Sequence, residues 1–190
     1  MQGIFIFYKS KLFDGHCIDN IISLGTMPLN WGTGNYSHVE FWVPDEHGRF
    51  IDEEGNVCGF CYTSTMRGEN DGTVCQPANT VIGNLDRWDG IKVDVAGALF
   101  ALARANADIR VANNKGYAKK DLTRFVFPLN VHKFLGLYDT SREICSEHCE
   151  TWAIDMDILY NVTLPSPRRL SKRLVDTSLE VKPLKAILYG

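Results

Sequence analysis

At 190 residues the chain has the length of one ordinary domain, large enough to bury roughly 70% of the surface its unfolded form exposes. A hydrophobic fraction of 45%, an aromatic fraction of 11% and a charged fraction of 23% exclude a disordered chain and predict a real core, one that needs no metal or disulfide to hold it. The formal net charge of −3 supplies no broad basic field, which argues against nucleic acid as the main partner.

The opening MQGIFIFYKSKLF lacks the charged start, long apolar middle and small-residue cleavage site of a secretory signal, and no stretch approaches a membrane span. The chain is therefore expected in the cytoplasm as synthesised. Its six cysteines, Cys17, Cys58, Cys61, Cys75, Cys145 and Cys149, are then expected as reduced thiols, so their use must lie in reactivity, metal binding or packing. No internal repeat, low-complexity tract or linker divides the sequence, and residues 1–190 read as a single domain.

Residues 3–8 alternate and are rich in Ile and Phe, which predicts a first strand, followed by a short helix near 17–24. A polar loop, MPLNWGTGNYS, leads into HVEFWV, a segment of strong strand propensity that Pro44-Asp45 ends. In plain strand geometry Val39, Phe41 and Val43 share one face, and His38, Glu40 and Trp42 the other. Residues 49–52 and 58–65 read as further strands, and Asn70-Asp71-Gly72 is a strong turn signal that returns residues 73–76 antiparallel. Residues 91–95 are another strand, 96–107 an Ala- and Leu-rich helix, and 113–138 mostly irregular.

From Thr140 the sequence TSREICSEHCETWAIDMDILY is helical, with Thr140 and Glu143 spaced as a capping box. Cys145, Cys149, Trp152, Met156 and Leu159 recur in alternating steps of four and three, an apolar stripe, while Ile144, Ile154 and Ile158 add apolar surface on another side. Such a helix is enclosed rather than superficial. Pro165 and Pro167 precede a final short helix over 166–174 and a C-terminal strand over 181–188. The one basic cluster, Arg168, Arg169, Lys172 and Arg173, reads as the solvated face of that short helix rather than a phosphate-binding patch.

A thiol is a useful nucleophile only as thiolate, which is why reactive cysteines occur near helix N-termini or beside an imidazolium. Cys145 stands near such a terminus, although a cap at Thr140 places it past the first exposed amides and leaves much of its activation to an imidazole. Of the five histidines, His38 is the best placed, because it opens a strand whose apolar face already belongs to the core. His16, His47 and His132 lie in loop-like surroundings, and His148 is one helical turn from Cys145. Taken alone, Cys145 reads equally as a small core residue, His38 as a strand-end histidine bonded to a carbonyl, and Glu40 as a solvated edge residue. Cys149 reads as core. Cys58 and Cys61, three apart in a strand, face opposite ways and are poorly arranged as a zinc chelate, so no metal or other cofactor is expected. The sequon Asn161-Val162-Thr163 has no weight in a chain without an export signal, and the acidic residues show no paired-carboxylate spacing.

The segments YSHVEFWV and, about a hundred residues later, ICSEHCETWA resemble the permuted branch of the NlpC/P60 papain-like superfamily, in which the histidine strand precedes the cysteine helix. The matching pieces are Ser37-His38-Val39-Glu40 and Cys145-Ser146-Glu147. More weakly, CYTSTMRGENDGTVC is similar to the strand pair that follows the histidine strand in phage-encoded members. The resemblance implies an α+β fold of permuted papain-like topology, a small antiparallel sheet packed on a central cysteine-bearing helix. It also implies a thiol hydrolase of amide or ester bonds, with Cys145 as nucleophile and His38 as general base. For the third, orienting member, Glu40 on the His38 face and Ser64 on the neighbouring strand are both candidates, and Glu40 is preferred because a carboxylate also stabilises imidazolium. The backbone amide of Cys145 and the hydroxyl of Tyr36 are candidate oxyanion donors, and Trp42 is a candidate substrate contact. A peptide, a peptidoglycan stem peptide or another acyl compound is the implied substrate. The competing reading is a virion component or host-interaction protein that keeps the scaffold with its thiol idle.

Overall fold

The computed structural model of the protein describes residues 1–9, 36–65, 72–113, 116, 144–163 and 165–190. The helix predicted near 17–24, the loop before HVEFWV up to residue 35, most of the Asn70-Asp71-Gly72 turn, nearly all of 113–138 and the Thr140/Glu143 pair lie outside the described residues. The described chain runs β1 (Gln2–Lys9), β2 (Tyr36–Val43), β3 (Phe60–Thr65), β4 (Gly72–Pro77), α1 (Ala78–Val81), a short 3-10 turn (Leu85–Arg87), β5 (Trp88–Asp94), α2 (Gly97–Ala112), α3 (Cys145–Asp155), α4 (Pro167–Asp176), β6 (Lys182–Pro183) and α5 (Leu184–Tyr189). It is an α+β architecture: one antiparallel sheet in the order β4-β3-β2-β1-β5-β6, with helices against it.

The sheet is apolar on both faces, and that decides the layering. Phe5 and Phe7 of β1, Val39, Phe41 and Val43 of β2, and Tyr62 of β3 form the larger core with α2, α3 and α4. Ile4, Ile6, Trp42 and Cys61 form a second core with Trp88, Ala78, Ile82 and Leu184, backed by Phe50, Val57 and Ile187. Strict alternation in β1 explains why Ile4, Phe5, Ile6 and Phe7 are all buried: even residues serve one core and odd residues the other.

Helix α3 is held on the sheet by Trp152, whose ring lies 4.3 Å from that of Phe41, 5.2 Å from Tyr62 and 6.2 Å from Phe100, centre to centre. The predicted stripe Cys145, Cys149, Trp152, Met156 and Leu159 is buried in the larger core, although the helix proper ends at Asp155.

Three sequence expectations are corrected. Residues 49–52 do not form a strand: Ile51 makes a single bridge to Val57, because Asp52 accepts from the amides of Glu54 and Asn56 and closes a turn in which Gly55 has φ +86°. The strand predicted over 181–188 is two residues long. Pro183 has no N–H for a ladder and starts α5, whose Leu184 and Ile187 reach the second core at a helical interval. The basic cluster is not uniformly solvated: Ser166 caps α4 and Arg169 and Lys172 are exposed, but Arg168 is buried and Arg173 is bound to the buried carboxylate of Glu150. No helix among the described residues is long and apolar enough to cross a membrane.

Trp152 sets the helix on the sheet at some expense, since its indole N–H is buried without a hydrogen-bond partner. Trp152→Ala is expected to cost about 3–5 kcal/mol in urea denaturation. Trp152→Phe removes the unsatisfied donor along with some volume and is expected to cost under about 2 kcal/mol. Equal losses for the two variants would show that the aromatic contacts do not hold this helix.

Candidate active site

Cys145 is the first residue of α3 rather than a residue inside it. Ile144 is the N-cap, and the Glu147 carboxylate reaches back to accept from the Ile144 amide at 2.9 Å, so Glu147 is the acidic partner of this cap. At that position the Cys145 N–H has no acceptor within the helix, and the positive end of the helix dipole lies at the sulfur. Ser146 ties this first turn to the chain before α4 by donating to the Pro165 carbonyl.

His38 stands where β2 departs from regular pairing. Tyr8 of β1 pairs with His38, but Lys9 pairs with Tyr36, so Ser37 is passed over and the strand carries a bulge. A bulge breaks the two-residue alternation and turns the side chains beside it. Here the bulge turns Tyr36 onto the larger-core face beside Phe7, whereas pairing from His38 to Trp42 is regular, so His38, Glu40 and Trp42 share one face as predicted.

Two groups act on the imidazole of His38. Its Nε2 lies 3.0 Å from Glu40 Oε1, and Cys145 is near enough for its charge to act on the ring. Burial pulls the His38 pKa down, but Cys145 in its charged form and then Glu40 outweigh it and raise the pKa to about 9. Thr63 Oγ1 is 3.5 Å from Nε2 and is itself fixed by donating to the Val39 carbonyl at 3.0 Å.

Both Glu40 and Cys145 are buried, as is His38, which retains 7% of its surface. Glu40 Oε2 has no hydrogen-bond partner, and the nearby Cys61 thiol is pushed well above its ordinary pKa by burial and then by the Glu40 charge.

The structure thus brings Cys145, His38 and Glu40 together and separates the other candidates. Ser64 lies on β3 opposite Thr73 and shares its face with Tyr62, so the hydroxyl beside the imidazole is that of Thr63. Tyr36 is buried and donates its hydroxyl to Asp89 Oδ2 at 2.9 Å, which leaves no phenolic proton for an oxyanion. Trp42 is fully buried in the second core, with its ring on Phe50 and its N–H donated to the Cys58 carbonyl, and is no substrate contact. His47 is exposed on a turn, and His148 is fully buried one turn along α3.

Thr63 and Asp89 were not singled out from the sequence. Thr63 was accessible in principle, because assigning Tyr62 to the core places its neighbours on the Glu40 face. Asp89 had no local signal, since its partners lie on two other strands. No protein-family model matches the chain, and neither curated proteins nor solved structures yield a match.

A folded-state pKa of about 9, above the unfolded value near 6.5, means that protonated His38 favours folding. That contribution is complete below about pH 6.5 and is lost as pH rises through about 9. An NMR titration of the His38 ring is expected to give a midpoint near 9, and Cys145→Ala is expected to lower it. A midpoint at 6.5 in the unaltered protein would show that the thiol and carboxylate do not act on the ring.

Proposed function

We propose that this chain is a cysteine-dependent hydrolase of amide or ester bonds, of the permuted NlpC/P60 papain-like type, with Cys145 as nucleophile, His38 as general base and Glu40 as the orienting carboxylate. The observation that carries the proposal is a buried imidazole bonded to a carboxylate, with a helix-N-terminal thiol near enough for its charge to act on the ring.

In this scheme Cys145 gives its proton to His38 and the sulfur adds to the substrate carbonyl carbon. The resulting oxyanion is met by the Cys145 amide, whose donor is left open by its place at the start of α3. His38 then returns the proton to the leaving amine or alcohol, giving a thioester. Water, deprotonated by the same imidazole, attacks the thioester carbonyl and releases the acid and the thiol. Glu40 keeps Nε2 protonated and offsets the charge of the imidazolium. Peptides, including peptidoglycan stem peptides, and acyl esters are the substrate classes to screen.

One observation favours a second reading. The thiol retains only 1% of its surface, which suits an idle scaffold serving as a virion component or host-interaction protein.

Iodoacetamide at neutral pH separates the readings. Cys149 lies on the same helix and is equally buried, so it is the internal reference. Under the hydrolase reading Cys145 is alkylated faster than Cys149, and His38→Ala slows it about tenfold or more at pH 7, where an unassisted thiol is only a few per cent thiolate. Glu40→Gln is expected to give an intermediate loss. Equal labelling of Cys145 and Cys149, or a rate indifferent to His38, would sink the hydrolase reading.

A further inference from the structure

A helix on the outside of a domain normally turns charge toward water and apolar surface toward the core. On its inner side α2 obeys, burying Phe100, Ala103 and Ala107 in the larger core. Its outer side does not. Ala98, Ala101, Leu102, Ala105, Ile109 and Ala112 are all exposed, and at about 3.6 residues per turn they share an arc of about 100°. No charged residue falls within that arc. Leu102 and Ile109 are 53% and 58% exposed, so the largest side chains of the arc are also the ones left most fully in water.

The position of α2 explains why this face meets no other element of the sheet layer. The helix packs on β4, which is last in the sheet order, and Asp108 accepts from the Tyr62 hydroxyl of β3 at 2.7 Å. On the side toward α3, Arg110 donates to Asp155 at 3.0 Å. With the sheet and α3 both met by its other sides, the apolar arc points outward from the margin of the fold.

Along one flank of the arc stand Arg104 and Asp108, one turn apart and both exposed. Opposite charges so placed make the face complementary to itself. A twofold axis runs two copies of a helix antiparallel and sets the same flank of each side by side. A crossing at the level of Asn106 puts Arg104 of one copy level with Asp108 of the other, and the reverse. The same crossing brings Leu102 level with Ile109 of the other copy to within one residue's rise of about 1.5 Å. The alanines of the arc let the two backbones approach closely.

We propose that this face is an interface between two copies of the chain, with α2 packed antiparallel on α2 across a twofold axis and Arg104 of each copy paired with Asp108 of the other. The interface stands apart from the chemistry assigned to Cys145 and holds whether or not that thiol is reactive. A contact made mainly by one helix pair falls short of the roughly 1,200–2,000 Å² buried in stable interfaces, so an affinity on the order of micromolar is expected.

Sedimentation velocity of the full chain between about 1 and 100 μM is expected to show monomer giving way to dimer. Leu102→Glu sets a carboxylate in the apolar contact and is expected to weaken association about tenfold or more, while stability in urea stays unchanged because the side chain is exposed in the single copy. Arg104→Glu and Asp108→Arg each bring like charges together and should weaken the dimer. Mixed in equal amounts, the two variants restore opposite charges at both contacts and should associate more tightly than either alone. Asp108→Arg also takes the acceptor from Tyr62, so if it fails to fold, Leu102→Glu and Arg104→Glu carry the measurement. A chain that stays monomeric throughout overturns the proposal, and a loss of stability on Leu102→Glu in that monomer would show that the chain covers this face with its own residues. A dimer indifferent to Leu102→Glu overturns it too, as does a mixture of the folded charge variants that associates no more tightly than its components.

Discussion

The seating of Trp152 among Phe41, Tyr62 and Phe100 is the contact on which the site's geometry depends. It joins α3 to β2, β3 and α2 at once, and a rigid helix carries that placement two turns back to Cys145. Phe41 lies three residues beyond His38 on β2, so the same contact fixes both partners of the candidate pair. The placement of the candidate pair is thus an outcome of aromatic packing before it is one of electrostatics.

Two buried glutamates show how differently the same side chain can be met by its surroundings. Glu150 accepts from the Thr163 amide and hydroxyl and from Arg173, so its charge is met by a permanent cation and fixed donors. It fastens the segment after α3 to α4. Glu40 faces a titratable ring, and its second oxygen is unmatched by any donor. A carboxylate satisfied on all sides has little reason to respond to a proton moving nearby. One bonded on a single oxygen to an imidazole is coupled to that proton directly.

The apolar alternation of β1 and β2, the stripe on α3 and the strand pair β3–β4 were legible in the sequence, because each rests on a local period of two or of 3.6 residues. Cys145, His38 and Glu40 were legible as residues, and the papain-like topology was an expectation from two short motifs. What was not legible depends on pairing between distant segments. The bulge at Ser37 exists only as a mismatch between β1 and β2, so a flat reading of YSHVEFWV could not place Tyr36 against Phe7 and Asp89 and left it free for an oxyanion. Asp89 brings Lys9 and Tyr36 together across three strands and has no signature of its own. The start of the described helix at Cys145 was not legible because its cap is an isoleucine, and the bond from the Ile144 amide to Glu147 has no signal in residue type.

The β6 strand offers a consequence of a different kind. With two residues and a proline, it closes one side of the sheet almost as soon as it begins, and α5 turns away from it at once. A chain seeking to add there would find one free residue's worth of ladder. At the other side β4 also ends in proline, at Pro77. That proline comes only at the last of six residues, so among the described residues the sheet is cut short at β6 and keeps a full-length margin at β4. A strand added to this sheet would find its longer template there.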